Sequence, residues 1–240
     1  MFATAVVLAA GRGSRLRSRV SKPLLKINSQ AIVIYSLLTL DACADIKEIV
    51  VVVNQENSSA ITREIQKRRL KKVRKIVEGG RRRQDSLGKA LKAVDESSDF
   101  VLIHDAARPF IDKKIISDSL KAAKKTGAAV AAVPIKGTIK KIESRKSKTE
   151  GLLVQKTLDR GNLWEVQTPQ VFKKYLIQEA YERFGDQDVT DDASLIEKLG
   201  RPVRIVRGSY FNIKITTPED LVLAEAIARQ KNGLSGRRRL

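Results

Sequence analysis

The sequence predicts an α/β fold in which a mostly parallel, twisted sheet is covered by helices on both faces. Two observations support this: continuous Val/Ile/Leu runs, typical of strands buried on both sides, and helical stretches between several of those runs. The predicted strands are Ala5–Leu8, Glu48–Val53, Val73–Val77, Phe100–Ile103, Ala128–Val133 and Val203–Val206. The predicted helices are Ala31–Ala42, Ser59–Lys71, Gln84–Val94 and Lys113–Lys125. Ligands of such sheets bind beyond the carboxyl ends of the strands, so the motifs that directly follow strands are the candidates for ligand binding.

The strand–helix alternation breaks between Ile135 and Gln167. Short alternating pieces at 137–142 and 152–157 flank a charged tip, which predicts a hairpin that projects from the sheet. Because an isolated hairpin is marginally stable in water, we expect this β-arm, residues 135–167, to pack against a second subunit. Residues 1–230 are expected to form a single domain, and the basic segment 231–240 a disordered tail.

Composition indicates a globular protein with anionic partners. The chain has 240 residues, of which 42% are hydrophobic, and a formal net charge of +20. That length suffices for one large domain or two small ones, and the charge favours negatively charged ligands. The basic runs at 68–75 and 237–239 contain no aromatic residue to stack on bases. We therefore interpret them as a solvated basic surface and do not expect nucleic acid to be the partner.

Several classes of site and location are excluded by what the sequence contains. The one cysteine, Cys43, and the one histidine, His104, exclude an internal disulfide, a cysteine-based zinc site and a histidine-rich metal site. No apolar run approaches the roughly 18 residues of a membrane span, so we expect no membrane insertion. No signal or transit segment precedes the first predicted strand, and we expect a cytoplasmic protein.

The first predicted strand opens into a loop of small residues, AAGRGS at 9–14. Successive backbone N–H groups in such a turn can bind phosphates, and the cations Arg15 and Lys22 follow closely. The spacing matches neither a P-loop nor the dinucleotide fingerprint, because no Gly-Lys pair follows Gly13 and Leu16 occupies the third glycine position. By itself, the loop fits an ordinary strand-to-helix turn as well as a polyphosphate site.

Two further motifs follow the third and fourth predicted strands. In HDAARP, Asp105 suits a hard cation such as Mg²⁺, and Arg108 suits an anion, although a local Asp–Arg ion pair that closes a turn is the simpler alternative. In GGRRRQDS, the cations 81–83 lie beside a glycine pair and are candidates to face an anionic ligand.

Three motifs in the second half of the chain have ordinary structural explanations as well as functional ones. Thr190-Asp191-Asp192 precedes a helix, so we expect the two carboxylates to cap it. Thr168-Pro169-Gln170 predicts a turn, in which the Thr168 hydroxyl either binds a ligand or caps. Lys214 lies in a segment predicted to be an alternating strand, where a solvent-facing lysine is the alternative.

Taken together, the motifs resemble those of the 2-C-methyl-D-erythritol 4-phosphate cytidylyltransferases of the non-mevalonate isoprenoid pathway. The matching segments run in family order from residue 5 to about residue 225: LAAGRGSRL, GGRRRQDSL, VLIHDAARPF, TIK, QTPQVF, TDDASL and NIKITTPEDL. The resemblance implies a Rossmann-like nucleotidyltransferase fold with a β-arm that builds a homodimer. It also implies that CTP reacts with a polyol phosphate, in the presence of Mg²⁺ or another divalent cation, to release pyrophosphate.

The resemblance assigns roles to individual residues. Those implied to be catalytic are Arg15, Lys22 and Lys214, which would stabilise the charge that develops on the triphosphate. Those implied to bind the nucleotide are Ala9, Ala10, Gly11, Gly13, Gly80, Arg83, Ser86 and Ala106. Those implied to bind the methylerythritol phosphate are Asp105, Arg108, Thr138, Arg160, Thr168 and Thr190. Asp105 is also implied to hold the metal, and the arm residues Thr138 and Arg160 to act in the partner's site.

Some positions depart from the family pattern. Pro23 follows Lys22 where many relatives have Gln, Gly137 stands where Asp often precedes the Thr-Ile-Lys segment, and Arg81 replaces a common acidic residue. The nearest alternative is a ribitol-5-phosphate cytidylyltransferase, which shares the fold, the CTP site and the arm. An alternative of another class, a basic nucleic-acid-binding protein, does not explain why these motifs occur together.

Overall fold

The structure is a computed structural model that describes residues 2–11, 20–143 and 152–237, with side chains described as far as residue 231. Its strands are β1 Ala3–Leu8, β2 Lys26–Ile27, β3 Gln30–Ala31, β4 Glu48–Val53, β5 Val73–Glu78, β6 Phe100–Asp105, β7 Ala128–Pro134, β8 Ile139–Ile142, β9 Val154–Leu158, β10 Trp164–Lys173 and β11 Arg204–Arg207. Its α-helices are α1 Ile32–Asp41, α2 Ser58–Lys67, α3 Arg83–Ala93, α4 Lys113–Thr126, α5 Lys174–Phe184, α6 Ala193–Lys198 and α7 Pro218–Arg237. A short 3₁₀ helix spans Lys22–Leu24.

Seven strands form one sheet in the order β11-β7-β10-β6-β1-β4-β5. All neighbouring pairs are parallel except those of β10, which runs antiparallel to both β6 and β7. The prediction of a mostly parallel sheet is confirmed, and every strand predicted for it is present. Two more strands, β2 and β3, form a small separate ladder.

Helices cover both faces of the sheet, as predicted. Residues of β1 alternate between the two faces: Val7 packs in a cluster with residues of α1, α2 and α4, whereas Val6 packs with residues of α3, α5 and α6. Because β1 and β4 are buried on both faces, they contain the continuous apolar runs at 5–8 and 49–53. A third cluster joins α7 to the segment around Phe110 and Ile215. Within the described residues, no helix has both the length and the apolar character needed to cross a membrane.

The largest difference from the prediction is β10. We predict a turn at Thr168-Pro169-Gln170, but these residues lie inside this ten-residue strand, with a cis Thr168–Pro169 peptide bond. The prediction is wrong because the pairing with β7 shifts its register between Val166 and Gln170. Proline lacks a backbone N–H group, and such an irregularity accommodates it within a strand.

The predicted hairpin is present. Strands β8 and β9 pair antiparallel, with Ile139 opposite Leu158, and form a two-stranded sheet of their own. Several of its apolar side chains are exposed, including Leu152, Leu153 and Val154. The charged tip at 144–150 lies outside the described residues.

The C-terminal segment differs from the expected disordered tail, because α7 continues through residue 231 to Arg237. The sequence from Ala224 to Lys231 contains strong helix formers and no proline, so nothing ends the helix at the expected boundary. Lys231 also donates a hydrogen bond from Nζ to the Phe110 carbonyl oxygen, at 3.4 Å. Residues 238–240 lie outside the described residues.

Candidate active site

A cleft of about 810 Å³ opens beyond the carboxyl ends of β1, β4, β5 and β6. In the sheet β1 and β6 are neighbours. After β1 the chain adds β4 and β5 on one side of this pair, and after β6 it adds β7, β10 and β11 on the other side. Such a reversal of strand order is where open α/β sheets bind ligands. The described lining contains six cationic side chains and two carboxylates, so the cleft is strongly basic.

The cleft brings together most of the residues predicted to bind or activate the nucleotide. Those that line it are Ala10, Gly11, Lys22, Gly80, Arg83, Ser86, Asp105, Ala106 and Lys214. Ala9 is buried beneath the loop, and Gly13 and Arg15 lie outside the described residues. A second cavity, of about 790 Å³, opens at the opposite ends of the strands, near Ser98 and Lys173. None of the predicted site residues lines it.

Two asparagines that the sequence analysis missed fix the first loop. Asn54 donates from Nδ2 to the carbonyl oxygen of Ala10 at 3.0 Å, and Asn57 donates to that of Ala9 at 2.9 Å. Asn57 also lies 3.0 Å from the hydroxyl of Ser21, which directly precedes Lys22. Both asparagines follow β4 at the same sheet edge, which is the signal that could have identified them.

The second loop packs against the first loop at Gly79 and against the start of α3 at Gly80. A Cβ atom on Gly79 would lie 2.7 Å from the Ala10 Cβ, and one on Gly80 would lie 2.3 Å from the Asp85 Cβ. The glycines therefore permit an approach that any side chain would block. The buried Ser86 hydroxyl accepts a hydrogen bond from the Gly80 amide at 3.0 Å and donates one to the Arg82 carbonyl at 3.1 Å.

Asp105 is the central carboxylate of the cleft. Its Oδ2 lies 2.6 Å from the Lys214 Nζ, and its Oδ1 lies 3.8 Å from the Arg83 Nη2. Burial alone would raise the pKa of Asp105, but these two cations outweigh burial and hold the pKa well below its usual value. The local ion pair considered for this turn is not formed, because Arg108 instead donates to the Asn212 carbonyl oxygen at 2.8 Å.

Lys214 reaches Asp105 from a loop, and the prediction that it lies on a strand is wrong. Residues 211 and 212 form a turn and a bend, and residues 213–215 belong to no strand. One backbone hydrogen bond, from the Ile215 amide to the Ala107 carbonyl at 2.9 Å, ties it to the loop after β6. The alternating pattern arises because Ile215 packs beside Phe110, and not because the segment pairs in the sheet.

The three consecutive arginines have different environments. Arg81 is exposed, and Arg82 donates hydrogen bonds from its backbone amide and its guanidinium to the Asp85 carboxylate, at 3.0 and 2.8 Å, at the start of α3. Arg83 forms a bidentate ion pair with Asp192, with both N–O distances 2.7 Å. Burial alone would lower the pKa of Arg83, but the Asp192 carboxylate raises it above its usual value.

The expectation that both carboxylates of Thr190-Asp191-Asp192 cap α6 holds for one of them. Asp191 accepts a hydrogen bond from the Ser194 amide at 3.2 Å. Asp192 is fully buried and makes no cap, because its oxygens are occupied by Arg83 and by the Tyr181 hydroxyl at 2.9 Å.

A buried hydrogen-bond chain supports the turn that carries Asp105 and Arg108. The Thr168 hydroxyl accepts from the Asp105 amide at 3.1 Å and lies 2.9 Å from the His104 Nδ1. The His104 Nε2 lies 3.0 Å from the Arg108 carbonyl oxygen. Because a carbonyl oxygen only accepts, Nε2 carries the proton and Nδ1 accepts from Thr168. Burial lowers the pKa of His104 to about 4, so the ring is neutral at pH 7.

The remaining predicted substrate residues are not in the lining of the cleft. Arg108 and Thr168 are buried in the wall just described. Thr190 is exposed, as are Thr138 and Arg160 on the β-arm, and Arg160 donates a hydrogen bond to the Lys136 carbonyl. Any role of these three residues thus requires a ligand that extends beyond the cleft, or a second subunit.

The described residues fit a divalent cation that arrives with a phosphate ligand. They contain no group of three His, Cys, Asp or Glu side chains arranged to hold a metal. Mg²⁺, however, is commonly bound by one or two carboxylates together with substrate phosphates and water. The ionised Asp105 at the edge of a basic cleft matches that donor set.

Comparison with known proteins agrees with this arrangement. A relative from Syntrophus aciditrophicus, named 2-C-methyl-D-erythritol 4-phosphate cytidylyltransferase, is 44% identical and covers 95% of this chain and 97% of its own length. One of the same name from Geobacillus thermodenitrificans is 42% identical and covers 93% of this chain and 95% of its own length. The crystal structure of 4-diphosphocytidyl-2C-methyl-D-erythritol synthase from Anaerococcus prevotii matches with a TM-score of 0.81 and 32% identity, over 95% of this chain and 96% of that one.

The family model for 2-C-methyl-D-erythritol 4-phosphate cytidylyltransferase matches residues 3–230. That range contains β1, the complete central sheet, both loops of the cleft and the β-arm. This chain therefore belongs to the 2-C-methyl-D-erythritol 4-phosphate cytidylyltransferase family.

Proposed function

We propose that this protein transfers the cytidylyl group of CTP to 2-C-methyl-D-erythritol 4-phosphate. A phosphate oxygen of the polyol attacks the α-phosphorus of CTP, and the bond from that phosphorus to the bridging oxygen of the β-phosphate breaks. The products are 4-diphosphocytidyl-2-C-methyl-D-erythritol and pyrophosphate. The observation that carries the proposal is the basic cleft at the β1–β6 reversal, in a chain whose relatives bear this enzyme's name.

The proposed catalytic work of the protein is to position the two phosphates and stabilise negative charge. The loop after β1 offers backbone N–H groups to the triphosphate, and the loop at Gly80 and Ser86 forms the wall for the base. Lys22 and Lys214, with Arg15 from the neighbouring segment, stabilise the charge that increases on the phosphate oxygens during transfer. Such stabilisation counts most in the transition state, so these cations should act mainly on kcat.

We further infer that Mg²⁺ or a similar cation accompanies CTP and that Asp105 holds it. The cation neutralises phosphate charge when bound. Lys214, the present ion-pair partner of Asp105, lies where it can contact a phosphate next to that carboxylate. Arg108, Thr168 and Thr190 are proposed for the polyol phosphate side.

The exposed β-arm supports the proposal of a homodimer. Its apolar side chains Leu152 and Val154 are 76% and 57% exposed. Contact with water costs free energy for such apolar surface, and a partner subunit that covers it would remove that cost. Arg160 and Thr138 lie outside the cleft of their own chain, so we infer that they complete the polyol site of the partner. Mixing an Arg160→Ala variant with a Lys22→Ala variant tests this. A trans arrangement gives heterodimers with one intact site and partial recovery of activity, and a cis arrangement gives none.

The activity is tested by pyrophosphate release with CTP and each of two polyol phosphates in parallel. We expect turnover with 2-C-methyl-D-erythritol 4-phosphate, little with ribitol 5-phosphate, and loss of both in excess chelator. Preferred turnover of ribitol 5-phosphate would overturn the proposed substrate. Full activity in chelator would overturn the role of the metal.

A further inference from the structure

Arg83 stands between two carboxylates at unequal distances. Both of its terminal nitrogens contact Asp192 at 2.7 Å, whereas its Nη2 remains 3.8 Å from the Asp105 Oδ1. The first pair is a complete bidentate ion pair, and the second is a long electrostatic contact. The guanidinium plane is thus fixed by Asp192, which is fully buried, and not by Asp105.

Asp192 is itself held rigidly. The Gln170 side chain accepts hydrogen bonds from the Asp192 and Ala193 amides, at 3.1 and 3.2 Å, and donates to the Asp191 carboxylate at 2.9 Å. The Tyr181 hydroxyl donates to the Asp192 Oδ1. Because Gln170 belongs to β10, which pairs with β6, the position of Asp192 relative to Asp105 is set by the central sheet.

The charges explain why this arrangement matters. Without Asp192, the nearest carboxylate to the Arg83 guanidinium would be Asp105, which lies 3.8 Å away. A bidentate Arg83–Asp105 pair would compete with Lys214 and with any cation bound to the nucleotide. We propose that Asp192 is a positioning residue that holds Arg83 away from Asp105 and so keeps the Asp105 carboxylate available to Lys214 and to the cation-bound nucleotide.

This inference rests on the proposed function. It is tested by CTP binding in the absence of the polyol phosphate, so that no transfer takes place during the measurement. Calorimetry with CTP and Mg²⁺ is carried out on the wild type and on Asp192→Asn, which keeps the acceptor for Tyr181 but removes the charge. We expect the Kd to increase about tenfold or more. Arg83→Lys should cause a similar increase, because an ammonium group cannot form the bidentate pair.

Two variants serve as controls. Asp191→Asn changes the neighbouring carboxylate, which does not contact Arg83, and should leave the Kd within about twofold. Asp192→Glu keeps the charge and should recover most of the binding. Thermal unfolding of each variant separates this role from a purely structural one. A purely structural role of Asp192 would lower the Tm of Asp192→Asn but would not increase the Kd of Arg83→Lys for CTP.

The outcomes are distinct. If folded Asp192→Asn and Arg83→Lys both bind CTP and Mg²⁺ like the wild type, the inference is wrong. If Asp192→Asn does not fold, Arg83→Lys decides alone. In that variant the buried Asp192 carboxylate keeps a cationic partner, so the variant should fold. If the wild type binds CTP but transfers no cytidylyl group to either polyol phosphate, the proposed function fails while the positioning role of Asp192 stands.

Discussion

The single histidine makes the stability of this protein depend on pH between 7 and 5. His104 has a pKa of about 4 in the fold, because burial disfavours the charged ring, against an ordinary value of 6.5. The difference of 2.5 pKa units corresponds to about 3 kcal/mol of unfolding free energy. No other histidine contributes in this range.

The sign follows from which state binds the proton. Below pH 6.5 the unfolded chain protonates His104, while the folded chain keeps it neutral until about pH 4. The stability is therefore fully present above pH 6.5 and is lost as the pH falls towards 4, with a loss of about 2 kcal/mol between pH 7 and pH 5. The charged groups that face the ring, Asp105 and Arg108, oppose each other and both keep their charge over this interval.

The assay is urea unfolding at pH 7, 6 and 5 for the wild type and for His104→Asn. The asparagine does not titrate, and its Oδ1 can still accept from Thr168. We expect the free energy of unfolding of the wild type to fall more steeply than that of the variant, by about 2 kcal/mol over the interval. Equal slopes for the two proteins would show that His104 titrates normally, and the argument from its burial would be wrong.

Further predictions concern the cleft. Lys22→Ala should lower kcat by about 10²-fold or more with a smaller change in KM, and steady-state kinetics that show a near-normal kcat would remove its catalytic role. Gly80→Ala should weaken CTP binding about tenfold or more, because its Cβ would collide with Asp85; calorimetry checks this, and unchanged affinity would show that the loop adapts. Asn57→Ala should cost about 2 kcal/mol of unfolding free energy, measured in urea, since it leaves the Ala9 carbonyl without its buried donor. A loss below about 0.5 kcal/mol would mean that water replaces that donor.

The sequence was most informative where one physical effect acts alone. Strand β4 is a valine run buried on both faces, and nothing in its neighbourhood competes with that pattern. It was misleading where tertiary contacts decide. Pro169 suggests a turn, but it lies inside β10, which pairs with a strand on each side. Asp192 has the position of a helix cap, but it forms an ion pair with Arg83, which is more than a hundred residues away in the sequence. The ion pair between Lys214 and Asp105 is likewise not visible in local spacing, because a loop brings the two residues together.

The β-arm is an insertion whose two ends meet. Pro134 at the end of β7 lies opposite Trp164 at the start of β10, and the Ile135 amide bonds to the Leu163 carbonyl oxygen at 3.1 Å. A short turn could therefore join β7 directly to β10 without changing the register of the central sheet. The proposed subunit contact and the folding of the cleft are thus structurally separable. Excision of the arm should yield a chain that still folds and binds CTP, and that elutes as a monomer if the arm holds the proposed dimer together.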